Sequence, residues 1–153
     1  MIKFFVFFLI INFGALALGG WLMDNGPMTE WYLQLNKAPW TPPGWVFGVA
    51  WTTIMICFSI YLAQLFSFEV NVKIVLLFAL QVFLNIIWNY IFFNKHLILL
   101  GLIVLIMLTV LILYFFFNFN QGKISYYRFF LLPYILWLFV AFSLNAYILI
   151  YNK

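Results

Sequence analysis

The stretch NKAPWTPPGWVFGVAW, residues 36–51, places three prolines, two glycines and three tryptophans at the edge of a long apolar run. Proline removes a backbone donor and biases the preceding residue away from helix, so APWTPPG keeps the chain extended. Pro42 and Pro43 then suit the first turn of a following helix, where a missing N–H costs little. The stretch therefore reads as the end of a non-helical connector running directly into a helix long enough to cross a bilayer.

The rest of the chain agrees. Of 153 residues, 69% are hydrophobic and 7% charged, and the mean hydropathy is +1.16. Such a chain has almost nothing with which to cover a water-facing surface. A spanning helix needs roughly 20 mostly apolar residues. Charges and turn formers mark five segments of about that length, at residues 4–22, 44–66, 72–94, 97–117 and 127–151, with one long connector at residues 23–43. The expected fold is all-α, a five-transmembrane-helix bundle forming a single membrane domain over residues 1–153. The first run resembles a cleavable leader in its small residues Ala15, Ala17 and Gly19, but it is long enough to span and more spans follow. Continuous apolar runs, where a barrel would alternate, exclude transmembrane strands.

The net charge of +4 comes from Lys3, Lys37, Lys73, Lys95, Lys123, Arg128 and Lys153 against Asp24, Glu30 and Glu69. These basic residues are scattered between spans, which speaks against nucleic acid and for contact with lipid headgroups. Five spans put the termini on opposite sides and divide the cations four against three, too evenly to set an orientation. Cys57 has no intrachain partner for a disulfide. His96 stands in a short turn with no second histidine or acid at ligand spacing, so no metal site is expected. Asp24 and Glu30 flank a loop, and no serine, cysteine or lysine has a base at motif spacing, so nothing points to hydrolytic chemistry.

Polar residues inside the spans carry more information. In the third span Gln81, Asn85, Trp88, Asn89 and Phe92 recur at helical spacing and share one face, which must look into the bundle because lipid offers amides no partner. Pro133, Trp137, Ala141 and Asn145 form a second such stripe in the fifth span. Asn85, Asn89 and Asn145 could tie helices together by interhelical hydrogen bonds, or line a site. Asn12, Ala15 and Gly19 offer a small surface for close packing of the first span. Trp40 and Trp45 fit an interfacial belt. Trp51 and Trp137 lie at membrane depth, where an indole N–H needs a partner. They serve either as core filler or as the walls of a site for a flat apolar ligand.

WYLQLNKAPWTPPGWVFGVAW in the connector and second span, LNIIWNYIFF in the third and LLPYILWLFVAFSLN in the fifth together resemble the TspO family of tryptophan-rich sensory proteins, which includes the mitochondrial translocator protein or peripheral benzodiazepine receptor. The resemblance runs from Trp31 onward, in order. It implies a five-helix bundle, commonly a homodimer, in the bacterial cell membrane, with an intramembrane pocket roofed by the connector. It also implies binding of tetrapyrroles such as protoporphyrin and haem, of sterols and of benzodiazepine-type ligands, and in some bacterial members light-dependent degradation of protoporphyrin. By motif, Tyr32 and Trp40 would belong to the roof, Trp51 to the second-helix wall, Asn85 and Trp88 to the third, and Trp137, Ala141 and Asn145 to the fifth.

Two departures from the family pattern bear on function. Residues 97–117 lack the acid that the family often carries in the fourth helix. Leu144, Tyr147 and Lys153 fit the loose sterol-recognition pattern only at its maximal spacing, so cholesterol is not expected as the natural ligand. The leading expectation is a membrane receptor or sensor that binds tetrapyrroles, linked to their transport or regulation. The alternatives are a light-dependent protoporphyrin-degrading enzyme, with Trp51 and Trp137 as its reactive residues, and a structural membrane protein with an incidental pocket. A carrier for a charged substrate usually keeps ionisable groups at membrane depth, and these spans hold none between their ends.

Overall fold

The computed structural model describes residues 1–152, so Lys153 and its part in the sterol pattern lie outside the described residues. Five long helices form: α1 (Ile2–Leu22), α3 (Gly44–Phe68), α4 (Val72–Asn89), α5 (Ile98–Asn118) and α7 (Leu132–Tyr151). Two short ones, α2 (Glu30–Gln34) and α6 (Ile124–Tyr127), lie in connectors. Among the described residues there is no strand. The five long segments meet the length and hydropathy of membrane spans. The helix ends lie within about two residues of the bounds expected from sequence, except that α4 gives way to a π turn at Tyr90–Asn94 and the last span is entered through α6 and a 3-10 turn at Arg128–Leu131.

Local chemistry sets several ends. Asp24 and Asn25, both left-handed at φ 43° and 51°, turn the chain after α1, and such residues tolerate that region better than bulkier ones. Thr29 caps α2 by accepting from the Tyr32 N–H, and Asn71 caps α4 by accepting from the Ile74 N–H at 2.9 Å. Pro43 is extended, with ψ 151°, and α3 starts at Gly44. Both prolines thus precede the helix instead of filling its first turn.

The helices close into a ring in the order α1, α4, α5, α7, α3 and back to α1. Away from the connector, the ring is packed solid. Phe8 meets Phe78 edge-on at 5.1 Å, Phe58 meets Tyr134 at 5.6 Å, and Tyr61 meets Phe115 at 6.2 Å. Three hydrogen bonds lace this half: Asn12 Nδ2 donates to Ser59 Oγ at 2.8 Å, Gln81 Nε2 to the Tyr134 hydroxyl at 2.9 Å, and the Tyr61 hydroxyl to the Phe115 carbonyl at 3.1 Å. The last two run between helices that are not neighbours in the ring, so they brace its interior. Asn12, Ala15 and Gly19 are buried where α1 packs on its neighbours. On the outside, Phe7, Leu76, Phe83, Val110, Leu136 and Phe139 are exposed to what would be lipid.

The connector is fastened across the other end. Its Asn36 backbone N–H donates to Asn152 Oδ1 at 2.7 Å, and Asn152 Nδ2 donates back to the Asn36 carbonyl at 3.1 Å. The Trp40 indole donates to Ser143 Oγ at 3.2 Å and meets Tyr147 edge-on at 5.5 Å. Trp31 stacks on His96 at 4.0 Å, tying α2 to the turn between α4 and α5.

Two outcomes test this arrangement. Tyr134→Phe strands the buried Gln81 amide and should cost about 1–3 kcal/mol in detergent-solubilised stability, whereas Tyr134→Phe with Gln81→Leu removes both partners and should recover most of it. Equal melting temperatures for the two variants would mean that the brace contributes nothing. Asn152→Ala removes both reciprocal bonds to Asn36 and should speed proteolytic nicking within residues 23–43 while leaving the helices resistant. Unchanged nicking would show that the connector is held elsewhere.

Candidate functional site

In the connector half the ring is not filled. A cavity of about 510 Å³ lies there, within the range of roughly 300–1,000 Å³ found for small-molecule sites. Every long helix contributes a stripe at helical spacing: Leu16 and Gly20 from α1 with Met23 at its C-cap, Phe47 and Trp51 from α3, Asn85, Trp88 and Asn89 from α4, Leu105 and Leu108 from α5, and Trp137 and Ala141 from α7. Pro27, Met28, Tyr32, Lys37, Thr41 and Pro42 form the roof. Trp51 meets Tyr134 edge-on at 6.0 Å, which joins the α3 wall of the cavity to the Gln81–Tyr134 brace. Trp51 stands about 10 Å along α3 from its start, given a rise of about 1.5 Å per residue.

The walls are aromatic and apolar with a few polar groups. Trp137 meets Phe47 edge-on at 5.2 Å, and Trp88 stacks on Phe92 at 5.4 Å and 9°. The buried Trp88 Nε1 has no hydrogen-bond partner. The donor is sealed inside the wall and its desolvation is uncompensated there. Asn89 Nδ2 turns back to the Asn85 carbonyl at 3.2 Å. It lies where a Cβ on Gly19 would approach to 2.7 Å, so the glycine makes room for the amide. Tyr32 packs at 5.3 Å from Phe93, and burial pushes its phenol pKa up from 10.0, keeping it a neutral donor. The single formally charged lining residue is Lys37.

Of the residues singled out from sequence, Tyr32, Trp51, Asn85, Trp88, Trp137 and Ala141 are brought together in this lining. Trp40 and Asn145 are not. Trp40 is 55% exposed and clasps the outside of α7. Asn145 is 2% exposed, with neither amide atom partnered. It is walled off beside Phe92: a Cβ on Gly101 would lie 3.2 Å from Asn145 Nδ2 and 3.3 Å from the Phe92 ring. The reading of Asn85, Asn89 and Asn145 as interhelical ties does not hold. That task falls to Asn12, Gln81 and Tyr61.

Lys37 and Phe93 were missed. A π-helical turn at Tyr90–Asn94 ends α4, with the Lys95 N–H donating to the Tyr90 carbonyl at 3.0 Å. The wider turn buries the consecutive Phe92 and Phe93 together. Phe93 packs so closely under the roof that a Cβ on Gly26 would lie 2.7 Å from its ring. No group of three or more His, Cys, Asp or Glu able to hold a metal occurs among the described residues. The lining includes no histidine, cysteine or carboxylate.

Comparison with known proteins agrees with this architecture. The sequence model of the TspO/MBR family matches residues 6–151. The chain is 33% identical over 143 residues to a tryptophan-rich protein TspO of Chlorobaculum tepidum, covering 90% of this chain and 89% of that one. It is 32% identical over 124 residues to protein CrtK of Rhodobacter capsulatus, covering 75% and 74%. It is 29% identical over 132 residues to a tryptophan-rich sensory protein of Cereibacter sphaeroides, covering 86% and 81%. With five spans and a family match over nearly its whole length, the chain is a multi-pass integral membrane protein of bacterial type and belongs to the TspO/MBR family.

Proposed function

We propose that this protein is a membrane receptor that binds a tetrapyrrole, protoporphyrin or haem, in the roofed cavity and serves in sensing or handling it. The observation that carries the reading is the lining itself: Trp51, Trp88 and Trp137 converge on one apolar space of about 510 Å³ at membrane depth, with a small number of polar groups. Flat aromatic walls suit a flat aromatic ligand through offset and edge contacts. The lining supplies no imidazole or thiolate to an iron atom, only the Met23 and Met28 thioethers. This favours the metal-free ring, held by its faces and edges. The name of the Cereibacter sphaeroides relative, a sensory protein, supports sensing as the outcome of binding.

Titrating the purified protein with protoporphyrin, haem and cholesterol while following tryptophan fluorescence tests the reading. Saturable quenching by protoporphyrin is expected. Ala141→Phe fills the cavity without removing a hydrogen bond, and overpacking typically costs roughly 1–3 kcal/mol. That variant should fold and lose most of its protoporphyrin affinity. Undiminished affinity in folded Ala141→Phe would place binding elsewhere.

A second reading has its own observation, since Trp51 and Trp137 both face the cavity. Porphyrins are photosensitisers and indole is readily oxidised, so a bound ring could exchange an electron with either side chain in light and begin its oxidative breakdown with dioxygen as oxidant. For a receptor alone, Trp51→Phe and Trp137→Phe should weaken binding by about 1 kcal/mol and leave photochemical loss per bound porphyrin unchanged. Abolished product formation in either variant, with binding retained, would favour the enzyme.

A further inference from the structure

Lys37 brings the one formal charge to the cavity. Its ammonium is fixed over the Tyr32 ring at 4.7 Å from the centroid and donates to the Tyr32 carbonyl at 3.0 Å. That partner is a neutral carbonyl, not a carboxylate. An ammonium has three N–H donors, so the others remain for a guest. The position is also determined by the fold. Asn36 is pinned to Asn152, and Ala38, on the other side, is buried at 4% exposure. The backbone carrying Lys37 is thus held between two fixed neighbours at the rim of the roof.

The polar groups of the cavity are few and unlike. A cation stands at the roof, the amides of Asn85 and Asn89 lie in the α4 wall, and Phe47, Trp51, Leu108 and Trp137 make the facing walls apolar and aromatic. A wholly apolar guest would leave the remaining N–H donors of the ammonium without an anionic partner. A guest with a carboxylate on one edge and an apolar body would meet the single cation in one orientation only, acid edge to the connector.

Resting on the tetrapyrrole reading above, we propose that Lys37 is the carboxylate-binding group of the cavity. It orients the ligand with its acid edge under the roof and selects free-acid tetrapyrroles over neutral ones. A charge-assisted hydrogen bond is among the stronger single contacts a site can offer, and the expected preference is about tenfold or more.

The test compares protoporphyrin with its dimethyl ester, which has the same ring and no charge, on the full-length protein in one detergent. Wild type should bind the acid about tenfold more tightly than the ester. Lys37→Gln should lose that preference by weakening acid binding alone, and Lys37→Arg should keep it. Equal affinities of wild type for acid and ester would overturn the assignment while leaving the tetrapyrrole reading intact. So would a Lys37→Gln variant that weakens both ligands equally, which would mark Lys37 as a structural part of the roof. A wild type that binds neither ligand would sink both.

Discussion

A bilayer offers a polar side chain no partner, so an amide within these spans looks inward, while a hydroxyl can also bond its own helix as Thr53 does to the Val49 carbonyl. The structure depends on that constraint. It sorts the ring into two halves by what the inward groups meet. In one half Gln81, Tyr134, Tyr61, Asn12 and Ser59 meet one another or a backbone carbonyl, and aromatic rings close the space between them. In the other half the inward residues Asn85, Trp88 and Trp137 meet a cavity. Hydrophobicity cannot make this division, because lipid is as apolar as the core and helix association in membranes relies on packing and polar contacts.

The connector converts the open half into a site. Prolines at 39, 42 and 43 keep it from continuing α3 toward α1 as helix, and the Asn36–Asn152 pair and Trp40 hold it down over the ring. The roof is therefore the one part of the lining made of irregular backbone facing the aqueous side. A ligand beneath it would touch Tyr32, Lys37 and Pro42, all on the same short segment.

Much of this was legible in the sequence because two periodicities dominate it. Five apolar runs of spanning length gave the helices, and the spacing of Asn85, Trp88 and Asn89 gave the α4 wall. Legibility failed where geometry departs from those periods. The π turn after Asn89 brings Phe93 inward beside Phe92, which no regular helix places together. Asn145 keeps the stripe of Trp137 and Ala141, yet Phe92 fills the space in front of it. Lys37 reads as an interfacial charge until the fold of α2 lays its side chain over Tyr32. Trp40, in a motif shared with the roof, points to Ser143 instead. The asparagines look like helix ties on spacing alone, and only the positions of Gln81 and Tyr134 show which amide crosses the ring.

Hydrogen–deuterium exchange of the detergent-solubilised protein with and without saturating protoporphyrin tests most directly whether the roofed cavity is the binding site. The account predicts slowed exchange in residues 23–43, the segment that closes over the ligand, with little change at residues 118–131 on the opposite end of the bundle. Protection confined to residues 118–131, or to lipid-facing segments with the connector unaffected, would contradict it.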